Sequence, residues 1–292
     1  MKLPRLLGSI ACTVACSVGN ASVCAPTSMS ERVYVALSRI QEAIAAGNAL
    51  DAVSVEESVL RVRLRSWQNA NTGAEQVVRL THNYGAHRID ARISMPTNGH
   101  LHRLGMEWRR HSPNWEVAVA PTLAASSNAG RHPRVLDANM VDWHASVRRI
   151  EPLAPSLALL FGICRDGRRG DVRIQPSAAI RWQPHEGTEV LLGYPDSRLH
   201  HRLSPSLRLG IALSPSGGAW HAFDRELTNE TQFARRGWRL EAELALRLPR
   251  RQQAALAIGI ERQRALEFDS PPGTGMSIDV GQGAYLSLRW RR

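Results

Sequence analysis

The chain has 292 residues, 43% of them hydrophobic and only 5% aromatic, and a formal net charge of +11. No apolar run of about eighteen residues follows the first 25, so no transmembrane helix is available. Lys2 is the only lysine, so the positive charge is almost all arginine. It forms neither a basic helix nor an aromatic-interleaved basic patch, and no nucleic-acid partner is expected.

Residues 1–25 read as a signal peptide. Lys2 and Arg5 precede the apolar stretch Leu6 to Val18, and Val23-Cys24-Ala25 has small residues where a signal peptidase cuts. Cleavage after Ala21 is the alternative, because Pro26 is a poor residue directly after a cut. A lipid anchor on Cys12, Cys16 or Cys24 is not favoured, since none follows a leucine at the spacing such a signal uses. Removal of residues 1–25 lowers the net charge to +9 and leaves Cys164 as the sole cysteine, so no internal disulfide is expected. Residues 26–50 read as a short amphipathic helix, capped by Ser30, with Val33, Leu37, Ile40 and Ile44 along one face and a stop at Gly47-Asn48.

From residue 51 to 292 the period changes to two. Between Trp238 and Leu248 every second residue is apolar and most of the others are charged. Eleven residues also suffice for a tilted strand to cross a bilayer. Segments of this kind lie near 55–67, 74–83, 86–96, 101–110, 114–123, 134–148, 156–165, 171–183, 188–195, 198–213, 236–248, 254–268 and 278–291, with Asn98-Gly99, Ser112-Pro113, 214–217 and Pro249-Arg250 as turns. The fold class is therefore all-β: an antiparallel up-and-down transmembrane β-barrel of about 12 strands (10–14), following the short N-terminal helix. The connections at 214–217 and 249–252 are short and those at 224–235 and 269–277 long, an alternation expected of periplasmic turns and external loops.

In such a barrel the charged face lines the lumen. This assigns Arg61, Arg63, Arg65, Arg88, Arg92, Arg173, Arg181, Arg239, Glu241, Glu243 and Arg247 inward, where water hydrates them and small anionic solutes are attracted. Trp182, Tyr194, Trp220, Trp238 and Trp290, with Phe268, lie near strand ends and are expected at the membrane interface. The segment from Ala284 to Trp290 is similar to the terminal strand of outer-membrane proteins, and departs from it in ending on Arg291-Arg292.

The run Glu186 to Leu199, with its GYPDSRL portion (residues 193–199), precedes Leu207-Arg208-Leu209-Gly210, Gly218-Ala219-Trp220 and the stretch from Gly259 to Phe268. Residues 186–268 together resemble bacterial outer-membrane β-barrel proteins of uncharacterised function; the first half of the chain matches in pattern alone. The resemblance implies a barrel in the outer membrane of a Gram-negative bacterium, with outer-membrane lipid and the barrel-assembly machinery as partners. It implies no catalytic residue.

Enzyme signatures are thin. His144-Ala145-Ser146 has the spacing that puts a base and a nucleophile on one strand face, as in lipid A deacylases, but without the flanking Asn and Gly and without a paired acid. His200-His201 and His100-x-His102 lack a second ligand group at metal spacing, and no phosphate-cradling loop or dinucleotide fingerprint occurs. No cofactor and no metal site is expected. The reading is a small channel or structural envelope barrel with an arginine-rich lumen. The alternatives are a soluble or lipid-anchored periplasmic β-sandwich binding an anionic partner and, third, an outer-membrane lipid-modifying enzyme.

Overall fold

A computed structural model describes residues 23–24, 29–42, 52–90, 99–224, 226–227, 229–269 and 275–292. The strands are β1 (Val33–Glu42), β2 (Ala52–Gln68), β3 (Glu75–Asp90), β4 (His100–His111), β5 (Trp115–Ser126), β6 (Val141–Ala154), β7 (Leu157–Asp166), β8 (Arg173–Trp182), β9 (Thr188–Tyr194), β10 (Ser197–Arg202), β11 (Leu207–Phe223), β12 (Glu230–Leu248), β13 (Gln252–Asp269), β14 (Met276–Val280) and β15 (Gly283–Arg291). Each pairs antiparallel with its sequence neighbour from β1 through β13. The ring closes where β15 pairs with β13 on one side and with β1 on the other, Tyr34 opposite Arg291 and Ile40 opposite Tyr285. β14 pairs with the far end of β13, Arg264 to Phe268, so β14 and β15 are two parts of one interrupted strand. The result is a closed, 14-stranded antiparallel barrel. One continuous ring excludes the β-sandwich, which needs two facing sheets.

The expected helix over 26–50 is not what forms. Val33–Glu42 is a strand, and residues 43–50, with the proposed stop, lie outside the described residues. The spacing of Val33, Leu37 and Ile40 suits a helix, but Tyr34, Ala36 and Ile40 also alternate with Val35 and Leu37. Pairing on both edges, with β2 and β15, decides between them. The barrel therefore begins before residue 51. Segments 74–83 and 86–96 belong to one strand as far as Asp90, and 214–217 is not a turn but the middle of β11. The turn on that side is 203–206 instead, where Leu203 N–H donates to the Leu207 carbonyl.

The alternation of connections holds with that change. One end carries the turns between β2 and β3, β4 and β5, β6 and β7, β8 and β9, β10 and β11, and β12 and β13, together with Arg292. The other carries the two-residue link between β9 and β10 and otherwise longer connections, among them 127–140 with a five-residue helix, α1 (Ser127–Arg131), and 224–229. The outer surface is apolar through its height: Leu37, Leu80, Leu104, Met106, Ile163, Ile180, Leu192, Ile211, Leu240, Leu244, Ile258 and Leu288 are all exposed. Trp67, Trp108, Trp115, Trp182 and Trp290 share this face close to the short-turn end.

A closed ring leaves no edge for detergent to unzip. Purified protein is therefore expected to migrate faster on a gel when unheated than after boiling. Identical migration in both states would contradict the closed ring.

Candidate functional site: the barrel interior

The faces follow from the two-residue period and the observed register. Odd positions of β4 and even positions of β5, β6 and β7 point inward, and the same parity runs across each ladder because paired residues share a face. Among the described residues, buried charged side chains comprise eleven arginines and eight carboxylates. A buried charge is tolerated only when paired and hydrogen-bonded, and the pairs fall into three groups.

The first lies on β3 to β6. Arg109 Nε donates to Glu107 at 2.8 Å and its Nη1 to Glu116 at 2.5 Å. Arg79 reaches Glu107 at 3.3 Å and Arg148 reaches Glu116 at 2.9 Å. Side chains of the same wall hold Val23, Cys24, Met29 and Glu31 inside the barrel. Arg109 Nη2 and Ser146 Oγ donate to the Val23 carbonyl at 3.1 and 2.8 Å, and Arg148 Nη1 donates to the Cys24 carbonyl at 3.1 Å. Arg61 pairs with Glu31 at 3.2 Å, and Arg63 donates to the Met29 carbonyl at 3.2 Å.

The second group joins the strands at ring closure. Arg239 bonds Glu261 at 2.5 Å and Glu57 at 3.2 Å, and its guanidinium lies 3.9 Å from the centre of the Tyr285 ring. Arg289 bonds Glu241 at 2.5 Å and Glu243 at 2.7 Å, and donates to Tyr285 Oη at 3.0 Å. Arg235 pairs with Glu57. Glu241 and Glu243 are thus both bonded to the buried Arg289 guanidinium.

The third explains the GYPDSRL stretch. Arg168, in the connection between β7 and β8, forks onto Asp196 at 2.7 and 2.9 Å and bonds Asp166 at 2.8 Å. Tyr194 Oη accepts from Arg169 at 2.6 Å and donates to Gln175 at 2.8 Å, while Arg198 pairs with Glu189 at 3.2 Å. These residues latch the short β9–β10 hairpin to the wall.

At the long-loop end the interior is apolar. Trp220, Phe233, Phe268, Leu266, Ile40, Leu101 and Tyr285 form one buried cluster, with His87 edge-on to Trp220 and Phe233. β10 pairs with β11 only as far as Leu213. Beyond it β11 meets β5 across the barrel, His221 beside Ala125. Gly217 and Gly218 allow the approach: Gly217 has φ +138°, and a Cβ there would lie 2.0 Å from the Arg235 carbonyl oxygen. The tip is tied down by Phe223 N–H on Ser126 Oγ and by Asn128 Nδ2 on the carbonyls of Phe223 and Asp224.

The residues singled out from sequence are distributed as follows. Arg61, Arg63, Arg181, Arg239, Glu241 and Glu243 point inward. Arg173 and Arg247 have inward parity but lie exposed at opposite ends of their strands. Arg65 is on the outer face, because a bulge between Arg63 and Arg65 pairs it with Val78, and its guanidinium lies over Trp67. Arg88 is also outward, being adjacent to the inward His87 and opposite Ser54. Arg92 lies outside the described residues. Trp182, Trp238 and Trp290 have outward positions, whereas Tyr194, opposite Ala178 in register, turns its hydroxyl to Arg169 and the inward Gln175. Trp220 and Phe268 instead fill the interior: β11 runs through 214–217 and keeps its even positions inward, and Phe268 of β13 pairs with the inward Phe233 beyond the bulge between Arg236 and Trp238. His144 and Ser146 share the inward face, with the Ser146 hydroxyl given to Val23. Periodicity alone missed Arg79, Arg109, Arg168 and Arg289, the centres of the pairing; the strands of Arg79, Arg109 and Arg289 carry the same alternation and are open to the same reading, whereas Arg168 lies in a connection that no alternation marks.

No protein-family model and no curated protein matches the chain. Among solved structures it is similar to Pseudomonas aeruginosa OccK2 (OpdF) in complex with glucuronate, at 11% identity over 90% of this chain and 98% of that one, with a TM-score of 0.35. Acinetobacter baumannii OccAB4 is similar at 8% identity over 90% and 99%, with a TM-score of 0.32. Likeness at this level carries no functional argument, and the barrel stands on its own strand pairing.

Truncating Arg168 to Ala leaves Asp166 and Asp196 buried without their cation, which is expected to cost about 3–5 kcal/mol. Glu151→Ala, which breaks the exposed pair with Arg149, is expected to cost about 1 kcal/mol or less. Urea unfolding midpoints of the two variants check the contrast, and equal losses would mean Arg168 is not the latch.

Proposed function

We propose that the protein is an outer-membrane β-barrel of a Gram-negative envelope, exported by its signal peptide, whose arginine-rich lumen is a path for small anions that this conformation holds closed. The observation that carries the reading is the excess of inward arginine over inward carboxylate. A positive, low-dielectric interior concentrates anions and repels cations.

The membrane setting is supported by the outer face. Only closed barrels and helices satisfy every backbone group in lipid, and here the closed ring of paired strands faces outward with leucine and isoleucine. Trp290 is level with Leu246 through Ala254, and Trp238 lies eight residues further along β12. That interval agrees with the roughly 9–11 residues a strand needs to cross. Leu244, exposed and between these two levels, therefore belongs in hydrocarbon. Leu244→Arg is expected to cost about 2–4 kcal/mol in bilayer-reconstituted protein, and an unchanged unfolding midpoint would remove the bilayer from this strand.

Closure is supported by the Val23–Cys24 contacts inside the barrel and by β11 reaching β5. Among the described residues, gaps of about 20 Å³ each lie beside Arg103, Glu107 and His144 and beside Glu57, Asn83 and Trp220. Gaps of that size favour a second reading, a purely structural barrel. Planar-bilayer recordings separate the two. The full chain is expected to conduct weakly, and a variant lacking residues 22–31 to conduct several-fold more, with a reversal potential showing anion preference across a salt gradient. Cation preference contradicts the arginine-lined path. Silence from both proteins supports the structural reading.

A further inference from the structure

We propose that Cys24 and Cys164 form a disulfide in the exported protein, and that the signal peptide is accordingly cut after Ala21, leaving a mature chain that begins at Ser22 with its N-terminal segment stapled inside the barrel. The proposal rests on the export reading above, and on a juxtaposition in the fold. Cys164, an inward residue of β7, and Cys24 pack in one buried cluster with Val23, Ala118 and Ala120. Both are reduced, buried thiols in this structure, and Cys24 lies within side-chain hydrogen-bonding reach of Cys164. Cys24 is 0% exposed and Cys164 1%.

The surrounding bonds show that Cys24 belongs there. Its carbonyl accepts from Arg148, and the carbonyl of Val23 accepts from both Arg109 and Ser146. Arg109 and Arg148 are themselves held by Glu107 and Glu116, so the cradle is built from the barrel's own ion pairs. Removing residues 1–25 would take away the backbone carbonyls on which Arg109 Nη2, Arg148 Nη1 and Ser146 Oγ donate in a closed interior, which is unfavourable. Cutting after Ala21 keeps the segment. Gly19 and Ala21 supply the small residues a signal peptidase requires, and Pro26 no longer follows the cut. This cut also removes Cys12 and Cys16, so the mature chain has two cysteines and a single possible pairing.

The step is a thiol–disulfide exchange with an envelope oxidoreductase that carries a protein disulfide. One cysteine, as thiolate, attacks the donor disulfide, forming a mixed disulfide and releasing one donor sulfur as a thiol. The second cysteine then displaces the other donor sulfur. The Cys24–Cys164 bond forms, the donor bond breaks, and the two electrons and two protons leave with the donor as a dithiol. Since both sulfurs are sealed from solvent in the finished barrel, exchange takes place before the segment is enclosed.

Intact-mass spectrometry of the full-length protein from envelopes, denatured in N-ethylmaleimide, tests the proposal. The expected species is residues 22–292, lighter than its reduced formula by two hydrogens and carrying no maleimide, with two maleimides added after reduction. A Cys164→Ser variant is expected to begin at the same residue and to take up one maleimide without reduction, which shows that Cys24 is retained and reactive when its partner is gone. A chain starting at Pro26, or one starting at Ser22 with two maleimides before reduction, overturns the disulfide while leaving the barrel and its export intact. A chain that retains residues 1–21 overturns the export reading and the disulfide together.

Discussion

The constraint on which this structure depends is that every strand amide needs a partner, and an open sheet edge leaves a row of them without one. A buried backbone group left unpaired costs about as much as a lost hydrogen bond, and a sheet that returns to its own first strand leaves no such row. Here the last strand, β15, lies between β13 and β1, and the pairing from Tyr34 to Glu42 leaves no open seam. Once the ring is closed, the period of two divides the residues into those facing out and those facing in. The apolar exterior and the charged interior are one decision made strand by strand.

A ring of fourteen strands is wider than the eight whose own side chains fill a lumen. Three materials take up the space. Long arginine and glutamate side chains reach across it and neutralise one another, as Arg239 does by linking β12 to Glu261 of β13 and to Glu57 of β2. Val23, Cys24 and Glu31 occupy part of it, and the far portion of β11 brings Trp220 into it. Paired burial of this kind contributes little net stability compared with an apolar core, yet losing one partner is severe. The network therefore specifies the interior more than it strengthens it.

Much of the barrel was readable from its amino acids, because alternation reports directly on a strand with one greasy face. Trp238 to Leu248 shows this plainly, and Arg239, Glu241 and Glu243 point inward as their spacing implies. The misreadings share a cause: the local pattern was compatible with two structures and a distant strand chose between them. Val33 to Glu42 satisfies both a helix and a strand until β2 and β15 are present. Ser-Pro-Ser-Gly at 214–217 has turn chemistry, but β12 pairs with it residue for residue. Arg65 has the right parity until the bulge beside it shifts the face by one. The partner of each arginine was not legible, since Arg168 and Asp196 or Arg235 and Glu57 meet only when the ring is rolled up.

The reach of β11 across to β5 gives the long-loop end an unusual mechanical character. The covering element is not a separate domain on a linker but the continuation of the wall itself, and it stays registered with β12 through Phe223 opposite Glu230. It behaves as a cantilever, clamped along one edge and rooted at Gly217-Gly218, with its free tip tethered by the few bonds to Ser126 and Asn128. A load on such a beam is carried at its root. Side chains added at the two glycines would therefore alter the stiffness of the mouth more than changes at the tip, where the tethers act as a catch.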